Sequence, residues 1–587
     1  MAASADPSPG YERAERVCWL LAAVPAFWSF SYGITRGSDF WWHLAAGRWT
    51  VEHGAIPRVD PFSFTAAGRE WLNDAWLSDV IFSLWVSGWG LYSLAWWKWA
   101  VVIGAFLILL ATVVRVYEVD GLAAFPACLL ALATAGPFLD MRPQLYSCLG
   151  FVLVLALGFA RGRARWLLPV LFVVWVNLHA GVLLGLLCLP IVLAPSLLDA
   201  DGRRDAIAVI GLSFGACLLN PSGLAVFSRP LRYALDPTSP FRTIGEWQPP
   251  FRPGGIQAPV FPYLIGACAL AAVVLVMVPW LSGGWRRLRG LRPSVFVGLA
   301  LGTLTLVMSL RSRRFIPFFA VVSTFVLAPA LHQLLAPVRS RLPRFVAPAI
   351  AFLIGVIWLA PYPRASYAFH YLTAEGTFPI DTLDFIEANQ LSGDIFAYYN
   401  WGGYLHHRTA GRLRVYIDGR AGAVFDDDTY RRYVNVLSQG PGWIDVVEGS
   451  GARYVLWPRH YRPLLKTLIG TKRWRPIYED AVSMLLVRAD RVPAAALVPP
   501  PPSPYRDLGG GLHRLERGMF DEAIRYLERA RAGAPHMGLA CELLAKAQAG
   551  AGDVPAGRAT LAECQRQFPR PRRLPQFEAF VRRLPRQ

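Results

Sequence analysis

Val17-Cys-Trp-Leu-Leu-Ala-Ala-Val-Pro-Ala-Phe-Trp-Ser-Phe-Ser-Tyr32 opens the apolar part of the chain, and Asp39-Phe-Trp-Trp-His43 follows it after a short gap. The first is a helix-length run without a charge. The second sets a carboxylate and an imidazole among aromatics at the edge of that run. A carboxylate beside a bilayer is costly unless a cavity, a metal or a partner charge receives it, so Asp39 is a functional candidate from the outset. Apolar runs then recur as far as Ala360, and over the 587 residues hydrophobic side chains make up 54% and charged ones only 17%. That composition excludes a single soluble core and describes a polytopic α-helical membrane protein.

About 11 spans are expected, at 17–34, 92–114, 121–138, 144–160, 166–178, 181–198, 205–219, 259–280, 293–310, 315–335 and 345–360. Met1 to Gly10 is polar and no small-residue cleavage site follows the first run, which reads as a retained anchor. With the N-terminus inside, Arg161, Arg163 and Arg165, Arg203 and Arg204, Arg286 to Arg292, and Arg339 to Arg344 fall on the cytoplasmic side. The C-terminal region then lies outside. Trp76 to Tyr92 is interrupted by Asp79 and is placed as an interfacial helix; counted as a span, it would invert everything after it. The net charge of +19 is spread over loops on both sides, which points to anionic lipid phosphates rather than nucleic acid. Of the eight cysteines, six lie in or beside apolar runs and none has a close neighbour in sequence. No disulfide or metal-thiolate framework is expected.

Past residue 360 the pattern changes. Strands at Asp394 to Tyr398, Leu413 to Ile417 and Arg453 to Leu456 alternate with helices at Thr382 to Ala388 and Asp427 to Leu437, predicting a small α/β domain over 361–492. A Pro-rich linker covers 493–504. In 505–587, Gly518 and Pro535 are echoed by Gly552 and Pro569, both at an offset of 34, the period of tetratricopeptide helix pairs. Two such repeats form a partial array that needs a surface to pack on.

Under this topology the polar residues of the apolar half gather on one side: Asp39 and His43, Asp140 and Arg142, Asn177 and His179, Glu246, then Arg311, Arg313 and Arg314. Each also has a plain structural reading. Trp41 and Trp42 suit an interfacial belt, Asp39 and His43 share a helix face and can pair, Asn177 and His179 suit interhelical hydrogen bonds, and arginines near span ends snorkel. Three arginines on the outer side run against the charge rule, however, and favour an anion. Attack on a sugar carried by a lipid phosphate needs such a set: guanidinium groups or a divalent cation for the departing phosphate, and a carboxylate to hold the metal or take the acceptor's proton. Asp39, Asp140 and Glu246 are oxygen ligands suited to Mg²⁺ or Mn²⁺.

Phe241-Arg-Thr-Ile-Gly-Glu246 resembles the Thr-Ile-x-Glu segment in the fifth external loop of bacterial oligosaccharyltransferase catalytic subunits, and Arg313-Arg314-Phe315 is similar to the Arg-Phe that meets lipid pyrophosphate there. Asp39 looks like the catalytic acid of their first external loop. Tyr399-Asn-Trp-Gly-Gly-Tyr404, with Gly411-Arg412 and Asp418-Gly-Arg420, resembles their Trp-Trp-Asp-Tyr-Gly region, although the aspartate of that motif is replaced by glycine. Asp60-Pro-Phe-Ser-Phe-Thr65 and Arg142-Pro143-Gln144 resemble stretches of bacterial GT-C-type membrane proteins. The resemblance implies a GT-C-like membrane domain in a bacterial inner membrane and transfer from a polyprenyl-phosphate-linked sugar on the outer face. It assigns Asp39, His43 and Glu246 to catalysis, and Arg142, Arg311, Arg313 and Arg314 to the phosphate. Trp401, Tyr404, Asp418 and Arg420 go to the acceptor, and Asp39, Asp140 and Glu246 to a metal. The alternative is a non-catalytic assembly protein of the envelope that keeps the architecture and binds a protein partner through its repeats.

Overall fold

The computed structural model describes residues 9–32, 38–160, 162–228, 236, 238–254, 256–339, 341–360, 377–493, 495–567 and 573–584. Arg161 and Pro569, named above, lie outside them. The chain divides into two compact units: residues 1–33, 73–78 and 93–362, and residues 34–72, 79–92 and 363–587.

In the first unit every apolar run forms a helix. Among the described residues five helical stretches, Leu91–Tyr117, Gly121–Phe138, Phe261–Gly284, Pro293–Arg311 and Arg313–Leu334, are long and apolar enough to cross a membrane; Gln144–Gly158, Val182–Val192 and Val346–Leu359 are shorter. In the sixth expected span the helix Val182–Val192 stops just before Pro195, which opens the short helix Ala194–Leu198. Close packing comes from small residues. The helix Gly121–Ala135 buries Ala123, Ala124, Ala127 and Ala131 completely and packs on Ile316–Leu334, as small faces do between membrane helices. Leu270, Val273, Ile350, Leu353 and Ile357 stay exposed on their helices, the apolar outer surface that a lipid environment accepts.

The second unit is built on a five-stranded sheet, β1 (Gly393–Ala397), β2 (Leu413–Val415), β3 (Tyr454–Pro458), β4 (Trp474–Glu479) and β5 (Ser483–Arg488), in the order β2-β1-β3-β5-β4. β1 runs parallel to β2 and β3, while β5 is antiparallel to β3 and β4. The sequence anticipates the three parallel strands within a few residues and misses the β4–β5 hairpin. The segment 54–72, expected in the first outer loop, also belongs to this unit. The Val415 amide donates to the Phe62 carbonyl and the Phe64 amide to the Val415 carbonyl, both at 3.1 Å, so the loop lies along the free edge of β2.

Among the described residues of 504–581 are the helices Pro504–Glu516, Phe520–Gly533, Gly538–Gly550, Val554–Gln567 and Arg573–Val581. The 34-residue echo has a backbone cause: Gly518 and Gly552 have φ of 74° and 99°, turning the chain between paired helices where a side chain would be strained. The surface these repeats need is the α/β domain itself. Glu516 accepts from Arg459 at 2.6 Å and Arg462 at 2.7 Å, and Asn389 exchanges two hydrogen bonds of 2.8 Å with the backbone of Val498 in the linker.

Cys541 and Cys564 are disulfide-bonded, which corrects the expectation of no disulfide. The two are 23 residues apart in sequence but face each other across the packed helices Gly538–Gly550 and Val554–Gln567. Cys541→Ser is expected to cost the repeats about 3 kcal/mol, read as an earlier thermal transition, and the wild type should take up two more alkylating groups after reduction than before.

Asp381, at the start of the helix Ile380–Ala388, has its pKa pushed up to about 7 by burial and by Asp480 and Asp384, against a 2.6 Å hydrogen bond from Tyr478. The folded state therefore holds a proton that the unfolded chain, titrating near 4, has already released. Stability should fall as pH rises from about 4 to about 7 and level off above. Thermal unfolding across that range should show the decline, and Asp381→Asn should flatten it.

Candidate active site

Two groups of the expected residues form, one in each unit. In the first unit the loop 240–257 is laced to the segment after the helix Pro293–Arg311. The Arg314 amide donates to the Glu246 carbonyl at 3.2 Å, the Ser312 hydroxyl donates to the same oxygen at 3.1 Å, and the Arg313 amide donates to the Gln248 carbonyl at 3.1 Å. Arg142 Nη2 lies 2.5 Å from Glu246 Oε1. This joins the second, fourth and fifth expected outer loops.

Three arginines that look alike in sequence behave differently. Arg313 is buried, its guanidinium donating to the carbonyls of Gly245, Gly254 and Arg252. Its two terminal nitrogens hold the loop, while its buried Nε makes no hydrogen bond among the described residues. Arg311 is exposed in the last turn of its helix. Arg314 is half-buried with its guanidinium 4.8 Å from the centroid of Trp247, and among the described residues no side chain or carbonyl accepts from it. A planar cation held over an indole with its donors open is suited to a phosphate.

Glu246 is raised by burial, but the charges of Arg142 and Arg314 outweigh that and hold it below the usual carboxylate range. An acid so held is a poor proton acceptor; its carboxylate positions Arg142. Asp140 is buried and accepts from the Met141 amide at 2.7 Å. Lys98, which the sequence reading passes over, is also buried and interacts electrostatically with Asp140. The signal was present: within the helix Leu94–Tyr117 the only other charge is Arg115, in the last turn. Asn177 and His179 serve interhelical bonding. Asn177 accepts from Trp76 Nε1 at 2.8 Å, and His179 Nδ1 lies 2.7 Å from Ser147 Oγ.

In the second unit Asp39 begins the helix Asp39–His53, half-buried, with its carboxylate against Gly419, where any side chain would displace it. This helix packs on Gly402–Thr409 closely enough that a Cβ at Gly403 would sit 2.7 Å from the Trp42 backbone nitrogen. His43 does find an acid, Asp79, with 2.6 Å between Nδ1 and Oδ1 and the Trp42 ring stacked on the imidazole. Burial explains the pair: Asp79 has no exposed side-chain surface and requires a hydrogen-bonding partner.

The residues assigned to an acceptor are enclosed. Arg420 bridges Asp418 and Asp60 with all three side chains at 0% exposure, its guanidinium 4.8 Å from the Trp71 ring and 5.3 Å from Phe62, and His406 Nε2 lies 2.9 Å from Asp418. The Arg420–Asp60 pair fastens the expected first outer loop to the α/β domain, and the Arg420 guanidinium, with the His406 contact, holds Asp418 far below the usual carboxylate range against the effect of burial. Trp401 donates to the Thr377 carbonyl at 2.9 Å, and the Tyr404 hydroxyl accepts from Arg408 at 3.0 Å. These four residues are a scaffold.

The residues assigned to a divalent cation do not fit one as they stand. Glu246 is engaged by a guanidinium, Asp140 faces a lysine, and among the described residues no three His, Cys, Asp or Glu side chains gather as a cation cage.

Comparison with known proteins gives the fold a precedent. The tetratricopeptide repeat family matches residues 514–577. The archaeal oligosaccharyltransferase AglB from Archaeoglobus fulgidus, solved in complex with an inhibitory peptide and a dolichol-phosphate, superposes with a TM-score of 0.52 at 12% identity, over 92% of this chain and 86% of that one. A crystal structure of the Archaeoglobus fulgidus oligosaccharyltransferase in the apo form gives 0.52 at 14% identity with the same coverage. No curated protein matches the sequence. The likeness shows the fold alone: the chain shares the architecture of these solved structures over most of its length.

Proposed function

We propose that this chain is a membrane glycosyltransferase that moves a sugar or glycan from a polyprenyl-phosphate donor to an acceptor on the extracytoplasmic face of a bacterial inner membrane. The observation that carries the reading is Arg314, laid on Trp247 beside the Arg142–Glu246 pair with its guanidinium donors open. The acceptor's nucleophilic atom attacks the anomeric carbon, the bond from that carbon to the phosphate oxygen breaks, and the electron pair stays on the phosphate. Arg314 neutralises the charge that develops there. Asp39 takes the proton the acceptor gives up. An oxidised Cys541–Cys564 pair supports an extracytoplasmic location for the repeats, to which we assign a protein partner.

Asp39→Ala tests the catalytic part. In a strain that makes and inserts the variant at wild-type levels, the glycan product should disappear while the lipid-linked donor accumulates. Undiminished product would leave a non-catalytic assembly role as the better reading.

A further inference from the structure

Asp140 and Glu246 stand where the resemblance puts a metal, yet each is answered by a cation of the chain. Arg142 meets Glu246 at 2.5 Å. Lys98 is only 2% exposed near the start of the apolar helix Leu94–Tyr117, a position that a lysine holds when a countercharge receives it. That countercharge is Asp140, with which Lys98 interacts. The placement has an independent support: Trp97 Nε1 donates to the Tyr146 hydroxyl at 3.0 Å, tying the start of this helix to the first turn of Gln144–Gly158, directly after Asp140-Met-Arg142-Pro143.

Resting on the function proposed above, we infer that Lys98 and Arg142 are the built-in countercharges of Asp140 and Glu246, and that the phosphate-binding cluster of this chain works without a divalent cation. Three cations, Lys98, Arg142 and Arg314, answer two carboxylates, Asp140 and Glu246, so the cluster already carries the positive excess that a phosphate requires. A divalent ion entering it would meet those cations and would have to strip Arg142 from Glu246 to gain one oxygen ligand. Lys98 acts through Asp140 and is a positioning residue: it keeps the Asp140–Arg142 turn in register with Glu246.

The test uses the full-length protein in detergent after treatment with EDTA, with Mn²⁺ binding read by electron paramagnetic resonance. Wild type is expected to show no Mn²⁺ site that depends on Asp140 or Glu246. Lys98→Met should uncover Asp140, lowering Tm by roughly 5 °C or more and raising Mn²⁺ affinity by at least about tenfold. Lys98→Met/Asp140→Asn should recover Tm and lose the Mn²⁺ response, a pattern that packing alone does not produce. If Lys98→Met fails to fold, Arg142→Gln reports in the same way on Glu246. Stoichiometric Mn²⁺ binding by wild type that Asp140→Asn or Glu246→Gln removes would overturn the inference. Binding of a polyprenyl phosphate that Arg314→Ala abolishes but that appears only with Mn²⁺ would also overturn it, while leaving the proposed function standing.

Discussion

Arg420→Met is expected to destabilise the protein by about 3–5 kcal/mol, the cost of removing one partner from a buried charge cluster. Asp60 and Asp418 would be left facing each other with no side-chain surface in water, and the aromatic faces of Trp71, Phe62 and Phe425 would lose the cation they hold. Lysine should not rescue, because one ammonium cannot replace three guanidinium nitrogens bonded to two carboxylates. The loop tied down by this cluster carries Asp60, which anchors Phe62 and Ser63 through their amides. Limited proteolysis of Arg420→Met should therefore cut first between residues 54 and 72, and thermal unfolding should begin well below that of wild type. Asp60→Asn combined with Arg420→Met should recover part of the loss, since one uncompensated charge is then removed. Wild-type unfolding in Arg420→Met would mean that the cluster carries no structural weight.

Arg314→Ala is expected to lower sugar transfer by roughly 10² to 10³, about 3–4 kcal/mol, the cost of deleting one preorganised donor from a developing oxyanion. Arg314→Lys should be impaired almost as much, because it keeps a charge but loses the planar fork that meets two phosphate oxygens and sits over Trp247. Protein levels should barely change, since the bonds that lace this segment together come from the backbone of Arg314 and from Ser312 and Arg313. Arg313→Ala predicts the opposite profile: its donors hold the carbonyls of Gly245, Gly254 and Arg252, so folding should suffer first. A merely snorkelling Arg314 would tolerate lysine.

The membrane class was legible because burial in lipid demands long uncharged runs, and eleven of those are visible without any structure. Strands β1 to β3 and the repeats were legible for the same kind of reason, apolar runs bounded by turn residues and a glycine recurring at 34 residues. What stayed hidden depended on contacts between distant segments. Nothing near Asp60 announces that it will meet Arg420, 360 residues later; the sequence placed Arg420 with an acceptor because a motif like it does so elsewhere. Arg313 and Arg314 are adjacent and identical in type, and only the carbonyls around the first and the indole under the second separate a clamp from a ligand contact. Cys541 and Cys564 became a pair only once their helices packed. Lys98 was the readable omission, a charge in an apolar helix passed over because its neighbours are tryptophans.

The proposed function turns on a lipid phosphate meeting Arg314, and native mass spectrometry of the full-length protein in a mild detergent with added polyprenyl phosphate tests that most directly. The account predicts a one-to-one adduct in wild type that survives Asp39→Ala, whose carboxylate serves the proton, and is lost in Arg314→Ala. An adduct of equal strength in Arg314→Ala, or none in wild type, would contradict it.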